Sequence, residues 1–257
     1  MHLEEFSEGK SLIHSLDPRI KLISLVPFIV IVAIAKGLTV PSISLVASVV
    51  LILFARLNVR PLLERLLAVN LFILFLWLIL PFSVEGKSIF TIGPLTATSE
   101  GISYALTITL KANAIVLSTI ALVATLPIFR LVHALRHLKV PEKLVSLFFF
   151  CYRYISVLHE DYSALHNAMK MRAFRPATNV HTYRSYAYLV GMLVLKSYEH
   201  SEKVYQAMLC RGFTGKFPLL QHFTHLTRKD LIFLVSMILV AAGLVTLELG
   251  NNFWRLP

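Results

Sequence analysis

Five uninterrupted apolar runs decide most of what this chain can become. They are 22-LISLVPFIVIVAIA-35, 40-VPSISLVASVVLILFA-55, 66-LLAVNLFILFLWLILPF-82, 102-ISYALTITLKANAIVLSTIALVATLP-127 and 231-LIFLVSMILVAAGLVTLEL-249. A helix crossing a bilayer core needs about 20 apolar residues, with a range of roughly 17–25. The first two runs fall a little short, so tilt or flanking residues must complete them. All five are continuous rather than alternating, which selects helices over a β-barrel. The predicted fold is therefore an all-α, polytopic helical membrane protein with five or six transmembrane helices.

Composition agrees. Hydrophobic residues make up 56% of the 257, and only 15% are charged, against about 25% in globular proteins. Mean hydropathy is +0.71. A soluble fold is excluded, and the lipid bilayer becomes the first partner. The polar, acidic start MHLEEFSEGK lacks the basic-then-apolar order of a cleaved signal, so the first span is expected to stay in the protein. Cys151 and Cys210 have no metal-ligand or CxxC spacing and are expected to be reduced.

The charge is lopsided, with 25 Lys and Arg against 14 Asp and Glu. In a membrane protein such an excess marks cytoplasmic loops rather than nucleic acid. With the N-terminus in the cytoplasm and five spans, three basic residues precede the first span, three stand at 56, 60 and 65, and fifteen lie between 130 and 229. Only Lys36, Lys87 and Arg255 fall outside, and Lys111 lies within the fourth span. The chain is accordingly expected to be a multi-pass protein of the cell (inner or plasma) membrane. It divides into a membrane bundle of four spans at 1–127, a cytoplasmic region at 128–229 and a last transmembrane helix at 230–257. The outside loop 83–101 carries Gly and Pro with alternating residues, a pattern open to a short hairpin.

The segment 128–229 is helical by period rather than uniformly apolar. Ile128, Leu131, Val132, Leu135 and Leu138 form one stripe of an amphipathic helix. Pro141 opens a second, long helix to about 174 that begins apolar and turns polar near His159; its first half accounts for the sixth span of the higher count. A third amphipathic helix runs from about 184 to 211. The last two end on an echo, 168-AMKMRAF-174 and 207-AMLCRGF-213, with five of seven positions identical. Gly212 suits a left-handed helix stop. Ala173 occupies the same slot in the first copy, where a less sharp end at or just before Arg175 is expected ahead of Pro176. Arg172 and Arg211 thus fall in last helical turns, where the dipole tolerates a cation. Two similar knobs suit two similar sockets on a two-fold partner, and an acidic socket would hold each guanidinium by a bidentate pair. Arginines that merely snorkel to headgroups would leave the same pattern.

Three stretches resemble a known family. The segment 14-HSLDPRIKLI-23 is similar to the N-terminal signature of the T component of energy-coupling factor (ECF) transporters, and 152-YRYISVLHED-161 and 199-EHSEKVYQAMLCRGFTG-215 resemble its cobalt/nickel-type, CbiQ-like members. The resemblance implies a membrane scaffold without catalytic residues or cofactors of its own. It implies long cytoplasmic coupling helices seated on two ABC-type ATPase subunits, which bind the ATP and Mg, and a separate membrane subunit that captures the substrate. Carried over by position, the ATPase-docking residues are Met171, Arg172, Ala173, Cys210, Arg211 and Gly212. The family pattern is Ala-Arg-Gly, and here it is Met171-Arg172-Ala173 and Cys210-Arg211-Gly212, so both arginines are kept and the first glycine is not. Cobalt or nickel ions are the implied substrates; a vitamin-type capture subunit is the alternative, and an intramembrane enzyme is the rival from another class.

Other signals are weaker. Gly9-Lys10-Ser11 and Gly86-Lys87-Ser88 look like the tail of a P-loop. Glu4 and Pro81 stand where the phosphate cradle needs its first glycine, so ATP must bind a partner. His133 and His137 share a helix face, but no HExxH exists and the chain supplies no metal site; His222 and His225 read as polar loop residues. Lys111 must snorkel or pair, with Asn113 or Glu64 as candidate neighbours. Glu160 and Asp161 point to different faces of one helix, which rules out an acid–base pair and assigns them to helix–helix contacts.

Overall fold

A computed structural model describes residues 11–84, 86–92, 95–138, 140–215 and 227–253. The polar start 1–10, His222, His225 and Arg255 lie outside the described residues. The chain forms two compact units, one of residues 2–134 with 225–257 and one built on 135–224.

The first unit contains α1 (Pro18–Ile34), α2 (Thr39–Ala55), α3 (Val59–Ser83), a hairpin of β1 (Ser88–Ile92) and β2 (Leu95–Thr98), α4 (Ser99–Thr119) and α8 (Arg228–Phe253). The hairpin is antiparallel, with Ile92 opposite Leu95 and Thr91 opposite Thr96. Chain passage to the second unit falls within α5 (Ile128–His137). Among the described residues, three helices are long and apolar enough to cross a membrane, namely Val59–Ser83, Ser99–Ala124 and Arg228–Gly250, and Thr39–Ala55 is a shorter apolar helix. Leu71, Phe72, Leu74 and Leu78 on α3 are each more than 60% exposed. In water such a row would drive aggregation; against acyl chains it is a matched surface.

The core of this unit joins Phe28 and Val32 of α1, Val40 of α2, Ala114 of α4 and Leu244 of α8. Small residues let the backbones approach. Ser44 and Ser48 are fully buried on α2, and Ser48 Oγ donates to the Ala114 carbonyl at 2.9 Å, the small-residue packing of membrane helices. Gly101 serves the same end. A Cβ there would sit 2.7 Å from the Leu80 carbonyl and 2.8 Å from Pro81 Cα, so only glycine permits the close contact of α4 with the end of α3.

Polar groups pin the helix ends. Asp17 caps α1 by accepting the Arg19 N–H at 2.8 Å, with Pro18 at the first helical position. The Asp17 N–H donates to Asp230 Oδ1 at 2.9 Å, while Asp230 Oδ2 accepts the Thr227 N–H at 3.0 Å. At the far ends, the Lys36 N–H donates to Glu248 Oε1 at 2.9 Å. Start meets start and end meets end, so α1 and α8 run parallel.

The apolar run 102–127 is not one regular helix. It leaves α geometry at Ile120–Ala124, a π-helical turn. That turn delivers Thr125, whose Oγ1 accepts from the fully buried Lys21 Nζ at 3.2 Å. Lys111 also differs from expectation. Its ammonium donates to the Ala33 carbonyl at 2.9 Å, one of the last-turn acceptors that α1 cannot satisfy internally. Asn113 is engaged elsewhere. Its amide and that of Asn70 on α3 hydrogen-bond reciprocally, at 3.0 Å each way.

The second unit holds α6 (Glu142–Met171) and α7 (Val180–Cys210). Asn179 caps α7 by accepting the Thr182 N–H at 2.8 Å. Few residues here are buried; Val145, Thr182 and Leu189 are examples. Both helices expose large apolar side chains, among them Leu147, Phe148, Val190 and Val194.

Candidate functional site

Both copies of the repeated block end a helix, and they end it alike. After α6, the Ala173 N–H donates to the Lys170 carbonyl at 3.0 Å and the Phe174 N–H to the Met169 carbonyl at 3.1 Å. After α7, the Gly212 N–H donates to the Leu209 carbonyl at 2.9 Å and the Phe213 N–H to the Met208 carbonyl at 3.0 Å. These are matching Schellman closures. Their left-handed residues are Ala173 at φ 60 and Gly212 at φ 77. The first end is therefore as sharp as the second, stopping at Met171 rather than near Arg175. Alanine accepts a conformation normally left to glycine because the closing hydrogen bonds from Ala173 and Phe174 offset its cost.

Met171, Arg172, Ala173, Cys210, Arg211 and Gly212 are all exposed, and Met171 is 90% exposed. Neither Arg172 nor Arg211 makes an ion pair among the described residues. Each arginine is the cap residue of its helix, and each exposed guanidinium is available to an external acceptor. The chain beyond Arg172 is held firmly. The Phe174 ring packs edge-on against Tyr186, with centroids 5.7 Å apart, and lies 6.4 Å from the His181 ring. The Ala177 N–H donates to Thr182 Oγ1 at 3.1 Å. The first tip is thereby tied to the opening turns of α7.

The two helices meet at a charged cluster. Asp161 on α6 accepts from Lys196 Nζ at 2.9 Å and contacts His200 Nε2 at 3.2 Å, both on α7. The hydrogen bond from Lys196, reinforced by the charges of Lys196 and His200, holds the Asp161 carboxyl below the usual carboxylate range. Sequence reasoning assigned Asp161 to a helix–helix contact but did not find its partners. The repeat offset contained the signal, since Asp161 and His200 are 39 positions apart, as are Arg172 and Arg211. Beside the cluster, a largely apolar groove of about 560 Å³ opens between Tyr154, Val157 and Leu158 of α6 and His200, Val204 and Met208 of α7.

The decoys have other partners. The Lys87 N–H of the second P-loop-like tripeptide donates to the Glu100 carboxylate at 2.8 Å, an occupant that would repel a phosphate. Gly9 and Lys10 lie outside the described residues. Among the described residues, no group of three or more His, Cys, Asp or Glu is arranged to hold a metal ion. Cys151 and Cys210 are both free and exposed.

Comparison with known proteins adds an independent line. The sequence profile of the CbiQ family, described as cobalt transport protein, matches residues 9–223. An uncharacterized protein of Methanocaldococcus jannaschii is 30% identical over 96% of this chain and 86% of its own length. The energy-coupling factor transporter transmembrane protein EcfT of Bacillus subtilis is 26% identical over 96% of this chain and 98% of its own. A putative fused cobalt transport protein CbiMQ of Methanocorpusculum labreanum is 28% identical over half of this chain and 21% of its own length.

Proposed function

The chain belongs to the CbiQ cobalt transport protein family of ECF transporter transmembrane proteins, and on that premise we propose that it couples two cytoplasmic ABC-type ATPases to a substrate-capture subunit in the same membrane. The membrane component itself performs no chemistry. ATP and Mg are held by the partner ATPases, and their closure moves α6 and α7 through Arg172 and Arg211. Met171, Ala173, Cys210 and Gly212 complete the two docking tips. The observation that carries this reading is the pair of exposed arginines, without ion pairs among the described residues, on two helix ends with the same backbone closure.

An arginine fork on a helix end fits a carboxylate or a row of carbonyls in a complementary socket. Two such forks on one rigid pair engage a dimer together, so the second contact forms at high effective concentration. The parallel α1 and α8 support an odd number of spans, five, and the basic residues of 128–229 favour a cytoplasmic N-terminus. Their common starting side requires an even number of crossings before α8, and α1 to α4 supply four. The exposed apolar residues of α6 and α7 offer surface for the capture subunit and for lipid.

The transported substrate in this reading is a cobalt or nickel ion. The description of the family and the name of the fused relative of Methanocorpusculum labreanum favour it over a vitamin. The test is co-purification of the full complex from membranes, with ATP-dependent uptake of labelled cobalt as second readout. Arg172→Glu with Arg211→Glu is expected to abolish ATPase capture and uptake while insertion persists. Full retention of both ATPases by that variant would overturn the docking role, and ATP-dependent uptake of a vitamin but not cobalt would replace the substrate.

A further inference from the structure

The internal repeat reaches further back than the seven-residue block. At the same 39-residue offset, Glu160 matches Glu199, Leu165 matches Val204, and Asn167 matches Gln206. Asp161 corresponds to His200, and these two side chains touch, at 3.2 Å. Contact between equivalent positions of a repeat is what a local two-fold axis produces where it passes between two helices. Residues on the axis meet their own counterparts, and residues away from it are carried to opposite sides. Arg172 follows Asp161 by eleven positions, and Arg211 follows His200 by the same number. At about 1.5 Å per residue each tip then stands about 16 Å from the crossing. The α6 tip lies beside the opening turns of α7, through the Phe174 contacts, so the α7 tip lies beyond the crossing on the other side.

We infer that the Asp161 carboxylate, held by Lys196 and His200, is the pivot of a pseudo-two-fold α6–α7 pair and acts as the positioning residue that fixes the spacing of the two arginine tips. The inference rests on the docking reading for its purpose, though not for its geometry. The strict repeat would place Val157 where α7 has Lys196, and Val157 borders the apolar groove with His200. One side of the crossing is therefore an ion pair and the other an open apolar wedge. With so little buried between α6 and α7, the charged contact carries the angle. A carboxylate accepting from two donors on one neighbouring helix resists both sliding and rotation, whereas apolar side chains across an open groove resist neither.

Spacing is the quantity that matters for a two-point dock. If the angle of the pair wanders, the second arginine no longer finds its socket when the first is seated, and the gain from linking the two contacts falls. The measurement uses the full chain in lipid nanodiscs. Cys151 and Cys210 are replaced by serine, and nitroxides are placed at the exposed, repeat-equivalent positions Asn167 and Gln206. A narrow distance distribution is expected with Asp161 and with Asp161→Glu, and a broad one with Asp161→Ala. Should the alanine variant insert poorly, Asp161→Asn serves in its place. In unlabelled complex with native cysteines, Asp161→Ala is expected to weaken ATPase capture by about tenfold, with recovery in Asp161→Glu. An unchanged distance distribution in both neutral variants would overturn the pivot, and so would a broadened distribution with undiminished capture. The spin-label readout needs no ATPase, so failure of the docking reading, seen with the double arginine variant, is separable from failure of the pivot.

Discussion

Ala173 and Gly212 hold the same left-handed backbone 39 residues apart, at φ 60 and φ 77. The Cβ of alanine makes that conformation cost about 1 kcal/mol relative to glycine. Among the described residues, no atom beyond the chain neighbours lies within 4 Å of a Cβ built on Gly212, so the expected cost there is backbone strain. Gly212→Ala is expected to destabilise the end of α7 by about 1 kcal/mol, and Ala173→Gly to stabilise the end of α6 by about as much. Amide hydrogen exchange over residues 168–174 and 207–213 reads both, and the two variants should shift protection in opposite directions.

The two arginines should not be replaceable by lysine. A lysine keeps the charge but loses the planar fork that satisfies two acceptors at once. Arg172→Lys with Arg211→Lys is expected to leave a salt-sensitive complex, bound about tenfold more weakly than wild type at physiological ionic strength. Titrating the ATPases onto the membrane protein at low and high salt checks this. Equal affinity for the lysine form at high salt would show that charge alone holds the contact.

Much of this is legible in the amino-acid sequence. Hydropathy located the long membrane helices because a run of 17 or more apolar residues has few other uses. The repeat located the end of α7, because Gly212 after Arg211 fits a left-handed helix stop. Three things were not legible, each for its own reason. The π turn at Ile120–Ala124 leads into Thr125, which accepts from Lys21 in a segment 104 residues away. Lys111 answers a backbone carbonyl of α1, and carbonyls carry no sequence signature. The sharp stop at Ala173 was hidden because alanine ordinarily continues a helix; the hydrogen bonds of the following residue decide it.

Acid should loosen the α6–α7 crossing and mild base should not. The Asp161 carboxyl titrates below its ordinary range, chiefly through the Lys196 hydrogen bond. A group whose folded value is depressed adds stability that is complete above the unfolded value and is lost as pH falls through the folded one. The contribution of Asp161 is therefore constant from neutrality down to about pH 4 and disappears only below it. The same nitroxide pair at Asn167 and Gln206, followed from pH 7 into acid, should show broadening confined to that acid window. In Asp161→Asn the broadening should be present at every pH.

Asn70 and Asn113 test how much a polar pair contributes between membrane helices. Each amide donates to the other, across α3 and α4, and each also donates to a carbonyl one turn earlier, Leu66 and Thr109, at 2.9 Å. Those second bonds stay within the helix, so a lone asparagine is not wholly stripped of partners when the other is removed. Asn70→Leu or Asn113→Leu alone is accordingly expected to cost about 1 kcal/mol, in the range of interhelical hydrogen bonds measured in membranes. The double leucine variant should recover part of that loss, because no half-buried amide remains to be satisfied. Thermal unfolding in detergent, arranged as a double-mutant cycle, gives the coupling directly. A coupling near zero would mean that the in-helix carbonyl bonds alone satisfy both amides and that α3 and α4 associate through packing.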